Sequence, residues 1–332
     1  MPPIIGGSVY LFWRELRVPL NWLLGAGFLG FGVIFGSFLN VCIYRLPRGL
    51  SVVRPRSACP GCHAMIAWYD NIPVLSWLLL GGRCRHCKTP ITPRYAVVEL
   101  ACGALFLLSF LRSDSWADAV KSCILSFLLL GLAFTDAETH LLPDAMTLSG
   151  LGAALLLSTV SVVPGFAFSL FPFSYAGNAP LTPMQLTVAL GWRSLLNALT
   201  GAVIGAGVLY LIGWVYLKIR KTEGMGLGDV KLMAMVGAFV GPVLTLLALC
   251  TASLAGGAYG IVVLATVYRR RLRRYGPRLG ERAAARAWGT AQLALRGLEV
   301  PFGVFLSAMS MISWFYGAQI VRAYLRLFSI GD

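Results

Sequence analysis

The long apolar runs constrain this chain more than any other feature. A bilayer span needs roughly 20 mainly apolar residues. Eight such runs can be read, at about 20–44, 95–112, 118–136, 145–165, 194–217, 230–246, 247–268 and 300–324. Of the 332 residues, 58% are hydrophobic and only 12% are charged. The charged share is about half the usual one of roughly 25%. An all-soluble two-domain protein is excluded, and so are disorder and a collagen-like repeat. The expected class is an all-α polytopic membrane protein with about eight transmembrane helices. The sixth and seventh runs are divided by little except Gly241-Pro242, but their combined length fits two spans. Residues 1–10 carry no Lys or Arg. No cleaved signal peptide is therefore expected, and 1–19 reads as a short lead-in to a first transmembrane helix at 20–44.

The net charge of +15 has to be read by position. Segment 45–94 holds eight basic residues, 218–231 holds four and 269–299 holds nine. With eight spans, these segments share one side with the short loop 137–144. That side carries 21 of the 28 basic residues, so the positive-inside rule makes it cytoplasmic. The opposite loop, 166–193, has one base, Arg193, and no acid. The cytoplasmic basic loop 269–299 reads as an anchor near anionic membrane lipid, and no nucleic acid is expected as a partner.

Two cysteine turns lie on that side. Cys59-Pro60-Gly61-Cys62 is followed after 21 residues by Cys84-Arg85-His86-Cys87. Each CxxC turn aims two thiolates at one point, and two such turns can close a tetrahedral zinc site. The alternative is two disulfides or free thiols, but disulfides rarely persist in the cytoplasm. His63 and His86 could each replace a ligand, although four cysteines are simpler. The expected unit is a small cytoplasmic zinc-binding module over 45–94. The apolar residues 72–80 are too few to span, so they pack on the membrane surface or on the zinc core. Cys42, Cys102, Cys123 and Cys250 lie in apolar runs and read as small hydrophobes.

The chain has only 13 acids. Ionisable groups near a membrane bundle are functional candidates by default, and three stand out. Glu99 lies near the start of the second span. Asp136 lies at the end of the third. Asp229 follows Gly226 and Gly228 just before the sixth. The topology, built without these residues, brings Asp136 and Asp229 to the same face. Two carboxylates in a low-dielectric cleft do not both ionise easily, so one can hold a proton while the other acts as base on water. They would titrate as a pair, without separate roles. Gly226 and Gly228 would allow positive φ and close approach of a substrate strand. The alternative is an ordinary loop with Asp229 capping the next helix. Glu138 and Asp144 read as interfacial caps or rim charges.

These pieces together resemble the type IV prepilin peptidases, also called prepilin leader peptidase/N-methyltransferases, of the GxGD type. The resemblance runs through Gly36 to Pro47, the CxxC pairs around Trp68 to Trp77, Arg94-Tyr95 with Glu99-Leu100, Asp136 with Leu142-Pro143-Asp144, Glu223 to Lys231, and Pro301-Phe302-Gly303. It implies a multi-pass enzyme of the bacterial inner (cytoplasmic) membrane with its active site on the cytoplasmic side. Such enzymes cut the leader from prepilins or type II secretion pseudopilins. They then methylate the new N-terminal amine with S-adenosylmethionine. The resemblance places the catalytic aspartates on Asp136 and Asp229, and the Zn2+ ligands on Cys59, Cys62, Cys84 and Cys87. It gives 95–332 as the peptidase domain and ties methylation to the region of Gly36, Asn40 and Glu99, where no Gly-rich nucleotide loop is visible. At Gly36 and Asn40 the alternative is simple helix packing. Two rival functions stand beside it, an ion-coupled secondary transporter using the two aspartates and a peptidase lacking methylation.

Overall fold

The computed structural model describes residues 17–159, 183–222, 226–279, 283–296 and 301–328. Its main helices are α1 (Arg17–Arg45), α2 (Leu75–Leu79), α3 (Arg94–Arg112), α4 (Trp116–Thr139), α5 (Asp144–Ser158), α6 (Pro183–Arg220), α7 (Leu227–Val240), α8 (Pro242–Leu279), α9 (Ala283–Arg296) and α10 (Phe302–Phe328). Among the described residues no strand forms. That follows from the solvent: in hydrocarbon every backbone N–H and C=O must be satisfied internally, which a helix does within its own segment.

Six helices are long and apolar enough to cross a membrane: α1, α3, α4, α6, α8 and α10. Two of the eight expected spans are shorter. α5 has 15 residues and α7 has 14, about 22 and 21 Å at 1.5 Å per residue. The sixth span does not run to 246. It stops at Val240, Gly241 turns the chain at φ 80°, and Pro242 opens α8. A residue in that backbone region favours glycine, and proline suits the first turn of a helix.

The helices pack side by side, and α7 is the most enclosed. It touches α5, α6, α8 and α10, and Leu232, Met233, Met235, Val236, Phe239 and Val240 are fully buried. Its approach to α6 is backbone on backbone. A Cβ added at Gly201 would lie 2.1 Å from the Gly237 carbonyl oxygen, and one at Gly205 would lie 2.3 Å from that of Met233. The α1–α3 pair uses the same device, since a Cβ at Gly32 would lie 2.7 Å from the Gly103 Cα.

The basic segment 269–299 differs from the loop expected. α8 continues through Arg269–Arg271 to Leu279, and α9 folds back on it. Ala283, Ala287 and Ala291 are buried along one face of α9, and Tyr268 meets Trp288 with ring centroids 5.9 Å apart. The loop 166–193 and Glu223 lie largely or wholly outside the described residues, as do 1–16 of the lead-in.

The α6–α7 contact makes a direct prediction. Gly237→Val forces a side chain into the Gly201 backbone, 2.0 Å from its carbonyl oxygen. Overpacking of this kind costs about 1–3 kcal/mol or more. The thermal unfolding midpoint of the detergent-solubilised protein should fall clearly. Gly207→Ala, whose Cβ meets nothing within 4 Å, should leave it unchanged or raise it.

Candidate active site and metal centre

The two cysteine turns form matching knuckles. In the first, Cys59 N–H donates to the Ala64 carbonyl at 3.0 Å and His63 N–H to the Cys59 carbonyl at 2.9 Å. In the second, Cys84 N–H donates to the Thr89 carbonyl at 2.9 Å and Lys88 N–H to the Cys84 carbonyl at 3.1 Å. His63 and Lys88 close them at φ 58° and 57°. All four sulfurs lie within 4.8 Å of one another. The Cys59 and Cys87 sulfurs are 3.7 Å apart. Tetrahedral Zn–S bonds of about 2.3 Å put sulfurs about 3.8 Å apart, whereas a disulfide needs about 2.05 Å. The residues present therefore fit zinc, with neither His63 nor His86 in the cluster. The hydrogen bond with the Thr89 hydroxyl, at 3.1 Å, and then the Thr89 backbone bring the Cys87 thiol down to about 6. Metal binding needs that thiolate form.

The module is braced around these knuckles. Arg85 grips Asp70 with two bonds of 2.7 and 2.6 Å, which holds the Asp70 carboxyl below the usual carboxylate range. Trp77 Nε1 donates to the Ile91 carbonyl at 3.1 Å. Residues 72–80 divide between the two expected positions: Ser76 is buried and Trp77 packs within the module against Gly82, while Leu75, Leu78 and Leu79 are exposed.

Asp136 lies in the last turn of α4 and is buried. His140 ends that helix in the left-handed region, its N–H on the Asp136 carbonyl at 3.0 Å. Asp229 is the third residue of α7. Both stand at the end of the bundle that carries the module: Glu138, two residues past Asp136, pairs with Arg94, and Lys231, two residues past Asp229, pairs with Asp144. The N-terminus of α10 reaches the same point. Val304 N–H donates to Asp136 Oδ2 at 3.0 Å, and a Cβ at Gly303 would lie 2.9 Å from that oxygen. A helix N-terminus favours an anion there.

The glycine loop works differently from the expectation. Gly226 is extended at φ −71°, and Gly228 lies inside the first turn of α7. Neither has positive φ. A Cβ at Gly228 would lie 3.1 Å from the Leu142 Cβ, while Gly226 faces nearly open space. Gly226 occupies the N-cap, so Asp229 is not the cap of this helix. The rim acids are also engaged. Glu138 pairs with Arg94, and Asp144 takes Lys231 Nζ at 2.7 and 2.8 Å. The Asp144 side chain nevertheless stays 57% exposed.

Gly36, Asn40 and Glu99 come together where α1, α3 and the module meet. A Cβ at Gly36 would lie 2.6 Å from the Glu99 Cα, so Gly36 is a packing residue in the first instance. Asn40 Nδ2 donates to the Tyr95 carbonyl at 3.0 Å. The buried Glu99 carboxylate accepts Val74 N–H at 2.7 Å. Val74 is the centre of a γ-turn, at φ 60° and ψ −52°, with Leu75 N–H on the Pro73 carbonyl at 2.5 Å. This turn is rare and strained, the more so for a β-branched residue.

Gly303 was reached only through the family resemblance, because a glycine opening a helix gives no local signal of what lies opposite it. Gly303→Ala should displace the α10 N-terminus from Asp136 and slow any reaction of the pair by about tenfold or more. Gly152→Ala, with nothing within 4 Å of the added carbon, should have no such effect when both are assayed at equal protein.

The bacterial peptidase A24 N-terminal domain family matches residues 31–113, and the type IV leader peptidase family matches 123–261. A Myxococcus xanthus (strain DK1622) protein named prepilin leader peptidase/N-methyltransferase is 39% identical, over 70% of this chain and 61% of its own length. Proteins of the same name are 37% identical in Klebsiella pneumoniae, over 68% of this chain and 90% of theirs, and 30% identical in Stutzerimonas stutzeri, over 93% and 95%. No solved structure matches the chain. With its fold, its cysteine module and its two aspartates in the matched regions, the chain belongs to the type IV leader peptidase family.

Proposed function

We infer that the chain cleaves the leader of type IV prepilins or type II secretion pseudopilins and then N-methylates the new N-terminus. The observation that carries this reading is the placement of Asp136 and Asp229 at the same end of the bundle. Its relatives' names support it. The active face is cytoplasmic in the inner membrane, because 21 of 28 basic residues fall on the module side. The α8–α9 hairpin, carrying Arg269 to Arg274, meets anionic lipid there.

Asp136 and Asp229 hydrolyse the peptide as a pair. One carboxylate takes a proton from water, and the water oxygen attacks the scissile carbonyl carbon. The other, protonated, gives its proton to the carbonyl oxygen. The leaving nitrogen then takes the proton that the first carboxylate drew from water, and the C–N bond breaks. The Val304 N–H orients one oxygen of Asp136. Cys59, Cys62, Cys84 and Cys87 hold a structural zinc that lets the module keep its own small core. S-adenosylmethionine supplies an electrophilic methyl group. The chain's part is to hold the new α-amine unprotonated and in line. The aspartates lie at helix ends, whereas transport sites lie near the midplane, which disfavours the transporter reading.

Asp136→Asn and Asp229→Asn should each abolish cleavage of a purified prepilin, with normal insertion and a monodisperse elution profile. Cleavage near the wild-type rate in either variant overturns the assignment. Metal analysis should find about one zinc per chain, and changing Cys59 and Cys62 together to Ser should remove it. Zinc-free wild-type protein with two disulfides by mass would instead support the other reading of the cysteines.

A further inference from the structure

Two side chains at the module end, the buried Asn40 and the half-buried Arg94, have shielded polar atoms that nothing among the described residues satisfies. Among the described residues, Asn40 Oδ1 and Arg94 Nε and Nη2 are shielded from solvent and have no hydrogen-bond partner. Their remaining polar atoms are engaged: Asn40 Nδ2 on the Tyr95 carbonyl and Arg94 Nη1 on Glu138. The Arg94 guanidinium also lies 4.9 Å from the Tyr95 ring centroid. Both side chains thus neighbour Tyr95, one at its carbonyl and the other at its ring. Buried polar atoms without partners are rare in native proteins, and each calls for an explanation such as a missing ligand.

The kind of ligand follows from the atoms. Nε and Nη2 form one edge of a guanidinium and take a carboxylate with two parallel bonds. Arg85 uses this same edge on Asp70, at 2.7 and 2.6 Å. On Arg94 that edge has no such partner: Glu138 is on Nη1, and Glu99 takes the Val74 N–H. Asn40 Oδ1 can only accept, so it asks for a donor such as an ammonium. A carboxylate and an ammonium joined through one carbon make an α-amino acid. We propose that Arg94 and Asn40 bind the α-amino-acid end of S-adenosylmethionine, with its carboxylate on the Nε/Nη2 edge and its ammonium on Asn40 Oδ1.

The proposal rests on the methyl-transfer reading above and adds the binding residues that it lacks. The position suits the chemistry. Glu138, which holds Arg94, follows Asp136 by two residues on α4, so the donor is held beside the place where the new amine is released. Arg94 and Asn40 are also better probes than Gly36, whose substitution disturbs the α1–α3 contact.

The test is calorimetric titration of the full-length, detergent-solubilised protein with S-adenosylhomocysteine and with its decarboxylated analogue. Wild type should bind the carboxylate-bearing ligand about tenfold or more tightly, the worth of a charge-assisted bidentate contact. Arg94→Gln should erase that preference while still binding the decarboxylated analogue. Arg94→Lys, which keeps the charge but loses the fork, should retain only part of it. Asn40→Leu should weaken both ligands. Comparing two ligands on one variant separates a lost contact from a misfolded protein, and zinc content provides a second check. Equal binding of the two ligands by wild type, or a preference that survives in Arg94→Gln, overturns this inference alone and leaves methylation standing. Binding of neither ligand by wild type overturns the methyl-transfer reading and this proposal with it.

Discussion

The position of Asp229 depends on a contact between backbones. α7 is about 9 Å shorter than the roughly 30 Å hydrocarbon core, so lipid cannot set its height along the bundle. Packing must do so. Gly201 and Gly205 on α6 meet the Met233 and Gly237 carbonyls on α7. Without side chains between them, the two helices have little freedom to slide. Small residues in this arrangement let membrane helices approach closely and gain dispersion contacts where no hydrophobic force acts. The carboxylate at the third residue of α7 inherits that fixed height.

Asp136 is placed by other means. It sits in the last turn of a long helix, where the carbonyl end of the dipole alone is unfavourable to a negative charge. The opposing N-terminus of α10 offsets this by bringing the Val304 N–H to Oδ2. Three helices therefore converge on the pair: α4 and α7 supply the carboxylates, and α10 supplies a positive end. The Lys231–Asp144 and Arg94–Glu138 pairs tie α7 to α5 and α4 to α3 around the same mouth.

Much of this was legible in the sequence, for physical reasons. Hydropathy located the helices because lipid enforces them. The cysteine spacing revealed the knuckles. The pairing of Asp136 with Asp229 followed from counting spans. What stayed hidden depends on tertiary contact. The four-residue spacings of Gly201 with Gly205 and of Gly237 with Gly241 were readable as a close-packing pattern and passed unused. The γ-turn at Val74 has no local signal, because a carboxylate 25 residues away imposes it. The helical continuation of α8 past residue 268 is carried by burial of the α9 alanines. Gly228, at negative φ with Leu142 against it, shows that a glycine beside a loop can signal room for a neighbour rather than a special backbone.

The Glu99–Val74 bond also changes the polymer problem that the zinc module faces. Residues 46–93 form one long excursion between α1 and α3, with a knuckle in each half. Tying Val74 to a membrane helix divides that excursion into two shorter loops, each anchored at both ends before any metal arrives. Closure entropy grows with the logarithm of loop length, about 0.6 kcal/mol per doubling, so the saving from length alone is modest. The larger effect is on the number of arrangements. Two tethered knuckles have far fewer relative positions to search than one slack chain, and the strain kept at Val74 is what holds them to those few.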